Sequence, residues 1–123
     1  MTHDSNPPGD PVPLERLRAW GGEKLQRRMV ASFLERAPER IATARAAAES
    51  DDAPGVERPI HSLKASAGQL GAVVMQALCE EIEQRAERGE AIALLPRLHA
   101  LAAELERWTA WLYDPAGGGL ERE

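Results

Sequence analysis

The stretch His61-Ser62-Leu63-Lys64-Ala65-Ser66-Ala67-Gly68-Gln69-Leu70-Gly71 sets one histidine near a lysine and follows them with very small residues. On a helix, Lys64, Ala65 and Gly68 come round to the same face as His61. That face holds an imidazole, one cation and almost no bulk, so another protein can approach the ring closely. A neutral imidazole, with an unperturbed pKa near ~6.5, is a competent nucleophile at cellular pH. An ammonium beside it stabilises an incoming anionic group, and lysine suits this as a mobile point charge. The chemistry that fits is transfer of an anionic group, a phosphoryl group for example, to and from a ring nitrogen. Taken singly, each residue has a plainer reading. His61 would be an ordinary exposed helix residue and Lys64 a solubilising charge. Ala65 and Gly68 would be small so that a neighbouring helix can pack.

Helices must position these residues. Ala, Leu, Glu and Arg dominate the 123 residues, aromatics are only 4%, and β-branched strand formers are scarce, which points to helix throughout. A short helix is expected over Pro13–Trp20, stopping at Gly21-Gly22. A long one follows from about Glu23 to Glu49, its apolar face running through Val30, Phe33, Leu34, Ala37, Ile41, Ala44 and Ala48. Pro38 inside this pattern should bend or break it. Ser50–Gly55 reads as a turn, and Val56, Ile60, Leu63, Ala67 and Leu70 then form a stripe that ends at Gly71. A third stripe runs through Val74, Met75, Leu78, Ile82 and Ala86 to Gly89. A fourth takes Leu94, Leu98, Leu101, Leu105, Trp108 and Leu112, with Pro96 in its first turns. Short connections make neighbouring helices antiparallel. The expected fold is all-α, an up-down-up-down four-helix bundle with a short extra N-terminal helix. Residues 1–11 and 114–123, rich in Pro, Gly and acidic residues, read as flexible tails around a folded domain over 12–113.

Composition narrows the function. A 43% hydrophobic and 28% charged chain is a soluble globular type, and a net charge of −5 argues against a nucleic-acid partner. A lone cysteine, Cys79, forbids an intrachain disulfide and reads as a small core residue. No Cys/His cluster has metal-site spacing, so neither metal nor cofactor is expected. The N-terminus lacks the basic start and apolar run of a secretory signal, and no apolar stretch approaches membrane-spanning length. A cytoplasmic location without membrane contact is expected. His99 sits at the edge of the fourth stripe, and His3 lies in the N-terminal tail. Trp108 and Trp111 are expected to pack or cap the bundle end.

The His61–Gly71 motif, followed by Leu78-Cys79-Glu80-Glu81-Ile82-Glu83, resembles the core of the histidine-containing phosphotransfer (HPt) domain family. Phe33–Ile41, with its Ala-Pro pair, is similar to the family's first long helix, and the Leu14–Gly22 stretch before it fits as well. The resemblance spans roughly Val12 to Leu112. It implies a four-helix phosphocarrier with no kinase activity of its own and no resident metal. His61 matches the phosphoacceptor, Lys64 the lysine that steadies the phosphoryl group, and Gly68 a small residue where the partner docks. Glu83 matches a polar position that orients the histidine. The implied partners are receiver domains of a hybrid histidine kinase and of a response regulator; the residues give no strong sign of oligomerisation, so a monomer is the default expectation.

Two departures from that pattern stand out. Ala65 replaces the glycine common after the lysine, adding one methyl beside the ring. Pro59, two residues before His61, is best tolerated in a first turn, so the helix should begin around Gly55–Arg58 or kink there. A start that late would put His61 near a helix N-terminus, which favours neutral imidazole and attracts phosphate. An alternative function keeps the fold but only binds a receiver or kinase domain without transfer. A bundle enzyme or cofactor binder would need paired inward-facing Glu and His, which the pattern lacks.

Overall fold

A computed structural model describes residues 7–122. It contains α1 (Val12–Glu49), α2 (Ala53–Gln69), α3 (Val73–Glu87), a 3-10 turn (Ile92–Leu94) and α4 (Leu95–Leu112). Among the described residues there is no strand. α1 packs on α2 and α4, and α3 also packs on α2 and α4. The backbones of α1 and α3, and of α2 and α4, make no close approach, which is consistent with an up-down-up-down ring in chain order. None of them is long and apolar enough to cross a membrane.

The helices start and stop for identifiable reasons. α1 is interrupted at Gly22, whose φ of 78° and ψ of 177° only glycine adopts readily, so its first turns form a separate short arm. The Gln26 side chain, buried, donates to the Leu14 carbonyl at 2.9 Å and ties that arm to the long part. The break therefore falls where the glycine pair foretold it. The helix does not break at Pro38, which is exposed on the outer face while helical backbone continues on both sides. Its ring merely withholds a donor from the Leu34 carbonyl.

α2 starts earlier than Pro59 suggested. Asp52 caps it, its carboxylate accepting from the Gly55 N–H at 3.0 Å, and Pro54 sits in the first turn, where no N–H is needed. Pro59 is thus inside the helix, and no residue of α2 leaves helical geometry. His61 lies more than two turns beyond the cap, too far to feel the helix N-terminus, so the expectation built on that end is withdrawn. At the other end Gly71 takes φ 76° and Ala72 N–H donates back to the Ala67 carbonyl at 2.9 Å, a glycine-terminated cap.

The predicted stripes of α2 and α4 are core throughout, whereas Leu34 of the first stripe and Val74 and Leu78 of the third are only half-buried. Val56, Ile60, Leu63, Ala67 and Leu70 of α2 are buried, as are Leu94, Leu98, Leu101, Leu105, Trp108 and Leu112. Trp108 meets Phe33 of α1 edge-on, with ring centroids 5.2 Å apart. Cys79 is buried among them, and His99 is exposed.

The chain outside the helices is laid against them. Pro8 and Gly9 are buried, and Asp10 N–H donates to the Gly71 carbonyl at 2.8 Å. After α4, Gly118 N–H bonds the Trp111 carbonyl and Leu120 N–H the Leu112 carbonyl, while the Arg122 guanidinium lies over the Tyr113 ring. The two segments expected as tails are thus tied to the helices at Pro8 to Asp10 and at Gly118 and Leu120, while Pro7, Asp114, Pro115, Ala116 and Glu121 are exposed. Gly9 and Gly117 both lie against Trp111. Residues 1–6, with His3, and Glu123 lie outside the described residues.

Candidate functional site

α2 and α3 are joined by the tight turn at Gly71, so they run side by side and the midpoint of one faces the midpoint of the other. This carries Glu83 to His61. The imidazole is exposed, 65% of its side-chain surface open, while the Glu83 side chain is 8% exposed beneath it. His61 Nδ1 and Glu83 Oε2 are 2.5 Å apart. The other oxygen, Glu83 Oε1, is 2.5 Å from Lys64 Nζ, and Lys64 also donates to Glu80 Oε1 at 3.0 Å. Gln84 Nε2 in turn donates to the second oxygen of Glu80 at 2.8 Å.

The electrostatics fix who donates. Burial pushes the Glu83 carboxyl up, but the Lys64 ammonium and the His61 ring outweigh it and hold it below the usual range. Glu83 is therefore a carboxylate at neutral pH and can only accept. Its contact with Nδ1 then requires the proton on Nδ1, so that in the neutral ring the lone pair is on Nε2. The same carboxylate, with Glu80, holds Lys64 protonated, its pKa raised well above the ordinary ammonium value. With two of three N–H groups facing carboxylates, the ammonium keeps one for an incoming anion.

The remaining expected residues fall beside this pair. Ala65 is exposed on the His61 face. Gly68 is half-exposed, and a Cβ there would come 2.6 Å from Gln76 Nε2 of α3, so its smallness also lets that side chain lie close. Glu80 and Gln84 extend the network and did not stand out in the sequence. Their signal was helical spacing, Glu80 three residues before Glu83 and Gln84 four after Glu80, on a helix whose register against α2 the sequence does not supply.

One carboxylate group could attract a cation. Glu57, Glu83 and Glu87 bring oxygens within 4.8 Å of one another. Glu83 is already committed to His61 and Lys64, which leaves two side chains where a hard divalent cation wants about six oxygens. Burial, and then the neighbouring Glu57 charge, push the Glu87 carboxyl up.

The helix ring that carries this site has counterparts among known proteins. Residues 28–111 match the model of the Hpt domain. The chain belongs to the Hpt domain family. As such it is a histidine phosphotransfer module of two-component signalling, a family whose members interact with receiver domains. Its fold is also that of histidine-containing phosphotransfer protein B (HptB) from Pseudomonas aeruginosa PAO1, with a TM-score of 0.70 and 28% sequence identity. That match covers 85% of this chain and 98% of the other. A search of curated protein sequences gives no match. The four-helix Hpt architecture expected from the His61 motif is thus present.

Proposed function

We propose that this Hpt domain accepts a phosphoryl group on His61 Nε2 from the aspartate of one receiver domain and passes it to another. In the forward step the Nε2 lone pair attacks phosphorus, the N–P bond forms, and the bond from phosphorus to the aspartyl oxygen breaks. The aspartate carboxylate leaves with the electron pair. No proton need move: the one on Nδ1 stays there, and the ring's positive charge falls against the Glu83 carboxylate. Lys64 offers its remaining N–H to a phosphoryl oxygen. The second transfer reverses these steps onto a new carboxylate. Ala65 and Gly68 leave the approach to the ring open. No step needs a kinase activity in this chain, and the reading makes it a cytoplasmic monomer that meets a hybrid-kinase receiver and a response-regulator receiver in turn.

The observation that carries this reading is the exposed ring whose Nδ1 is anchored on a buried carboxylate. Incubation with a phosphorylated receiver domain tests it. Wild type should acquire acid-labile, base-stable phosphate, and His61→Gln should acquire none. A wild type that binds the receiver but takes no label is an interaction protein instead.

A further inference from the structure

One helical turn from the imidazole, the α2–α3 seam carries two carboxyls that the transfer chemistry does not use. Glu57 precedes His61 by four residues on α2, and Glu87 follows Glu83 by four on α3, so each adjoins a site residue on its own helix face. Oxygens of Glu57, Glu83 and Glu87 lie within 4.8 Å of one another, and Glu83 in turn touches the His61 ring. A phosphoryl group on Nε2 is therefore set at roughly one Debye length from the pair, ~8 Å at physiological salt.

The surrounding charges do not cancel this pair. Lys64, the cation whose field reaches Glu87, is already held by Glu83 and Glu80. Elsewhere on α3, Glu81 is met by Arg85 and by Arg97 of α4, and Glu90, past the helix end, is met by Arg85. Arg40 of α1 reaches α2 at Ser66, on the other side of His61 from Glu57. Among the described residues Glu57 and Glu87 thus face each other, and no cation is ion-paired with either. Two carboxyls in such contact repel, and a further anion brought near them is disfavoured in turn.

We propose that Glu57 and Glu87 set how readily phosphorylated His61 gives up its phosphoryl group, by holding uncompensated negative charge beside it. This rests on the transfer reading, in which the group arrives as an anion. The pair raises the energy of the phosphorylated state and leaves that of the neutral histidine nearly unchanged. Exchange with a receiver's aspartate is thereby tilted toward the aspartate, and the protein is a donor that empties rather than a store. Neither carboxyl touches the reacting atoms. Glu83 and Lys64 hold the ring and the incoming group, while Glu57 and Glu87 act through space on where the equilibrium lies.

The test compares wild type with the double variant Glu57→Gln/Glu87→Gln, with thermal melting to verify the fold. First, the equilibrium between phosphorylated His61 and a phosphorylated receiver domain is measured. The variant should shift it toward His61 by about fivefold at low salt and by less than about twofold in roughly 0.5 M salt, since the effect is a screened charge. A shift below about twofold at low salt, or one equal at both salts, overturns the inference. Second, phosphoramidate labels His61 with no receiver present: Nε2 attacks phosphorus, the reagent's P–N bond breaks, and ammonia leaves with the electron pair. Phosphorus-31 shifts, on a signal absent from His61→Gln, then follow the group's second ionisation, near ~6. Its midpoint should be about half a pH unit lower in the double variant at low salt. If no receiver exchanges phosphate with wild type, the transfer reading falls, and this midpoint decides the inference: lowered sustains it, unchanged overturns it. A wild type that phosphoramidate cannot label overturns both.

Discussion

His61 Nδ1 meets Glu83 Oε2 at 2.5 Å, so the exposed ring is held by a residue almost wholly covered by it and its neighbours. The pairing sets the tautomer, with the lone pair on Nε2. Glu83→Gln keeps the shape but loses the charge, and its amide can present an N–H to Nδ1 instead of an acceptor. A charge-assisted hydrogen bond of this kind is worth about 1.5–3 kcal/mol, so phosphoryl uptake should slow by roughly tenfold or more. Rapid-quench transfer assays check the rate, and nitrogen-15 shifts of the imidazole check the tautomer. An unchanged tautomer in the variant would show that the ring is set by something other than Glu83.

Two carboxyls near the site should give opposite pH behaviour. Glu83 is held below its ordinary value, so its contribution to stability is complete above that value and is lost as pH falls through the lowered one. Glu87 is raised, first by burial and then by Glu57, so its ionisation disfavours the fold and acid relieves it. Glu87→Gln should therefore raise the thermal midpoint at neutral pH, with the gain vanishing below the carboxylate range. Glu83→Gln should lower the neutral midpoint and flatten the acid limb. Thermal scans from pH 3 to pH 8, spanning both carboxyls (~4.3 unperturbed), distinguish the two.

Cys79 is buried, and burial pushes its thiol up to about 12, with the nearby Glu83 charge adding to this. A thiol so placed is not a thiolate at neutral pH and cannot be reached by a reagent. Native protein should react with Ellman's reagent no faster than it unfolds, and should release one equivalent in denaturant. Rapid labelling of the native state would contradict the buried position.

Pro59 inside α2 deprives the Gly55 carbonyl of its helical donor. An interior proline costs about 3 kcal/mol relative to alanine, offset by about 1 kcal/mol because it also restricts the unfolded chain. Pro59→Ala should therefore stabilise the fold by about 1–2 kcal/mol in chemical denaturation, and transfer on His61 should continue. A destabilised Pro59→Ala would mean that the ring's packing outweighs its backbone cost.

Much of this molecule can be read from its residues, and what cannot has a common cause. The stripes of α2 and α4 are buried as spaced, and the break at Gly22 and the cap at Gly71 lie at glycines whose φ is positive. These features are local. His61, Lys64, Ala65 and Gly68 share a face because helical spacing alone puts them there. Pro59 is a poor guide to the start of α2, because Asp52 and Pro54 already supply a capped start and the helix carries the proline in its interior. The Lys64–Glu80 contact depends on how α2 and α3 are set against each other, which no single segment encodes. The meeting of Glu57 with Glu87 is non-local too, since it needs the same setting of α2 against α3.

Trp111 illustrates the same dependence at the far end of the chain. Gly9, from the segment ahead of α1, and Gly117, from the segment after α4, both lie so close to its ring that a Cβ on either would run into it. One indole is thus a shared wall for two stretches that meet nowhere in sequence. If either stretch lifts away, the other loses part of what it rests on. The two ends should fray together, as a single cooperative unit, and their amide protons should exchange with the same opening free energy.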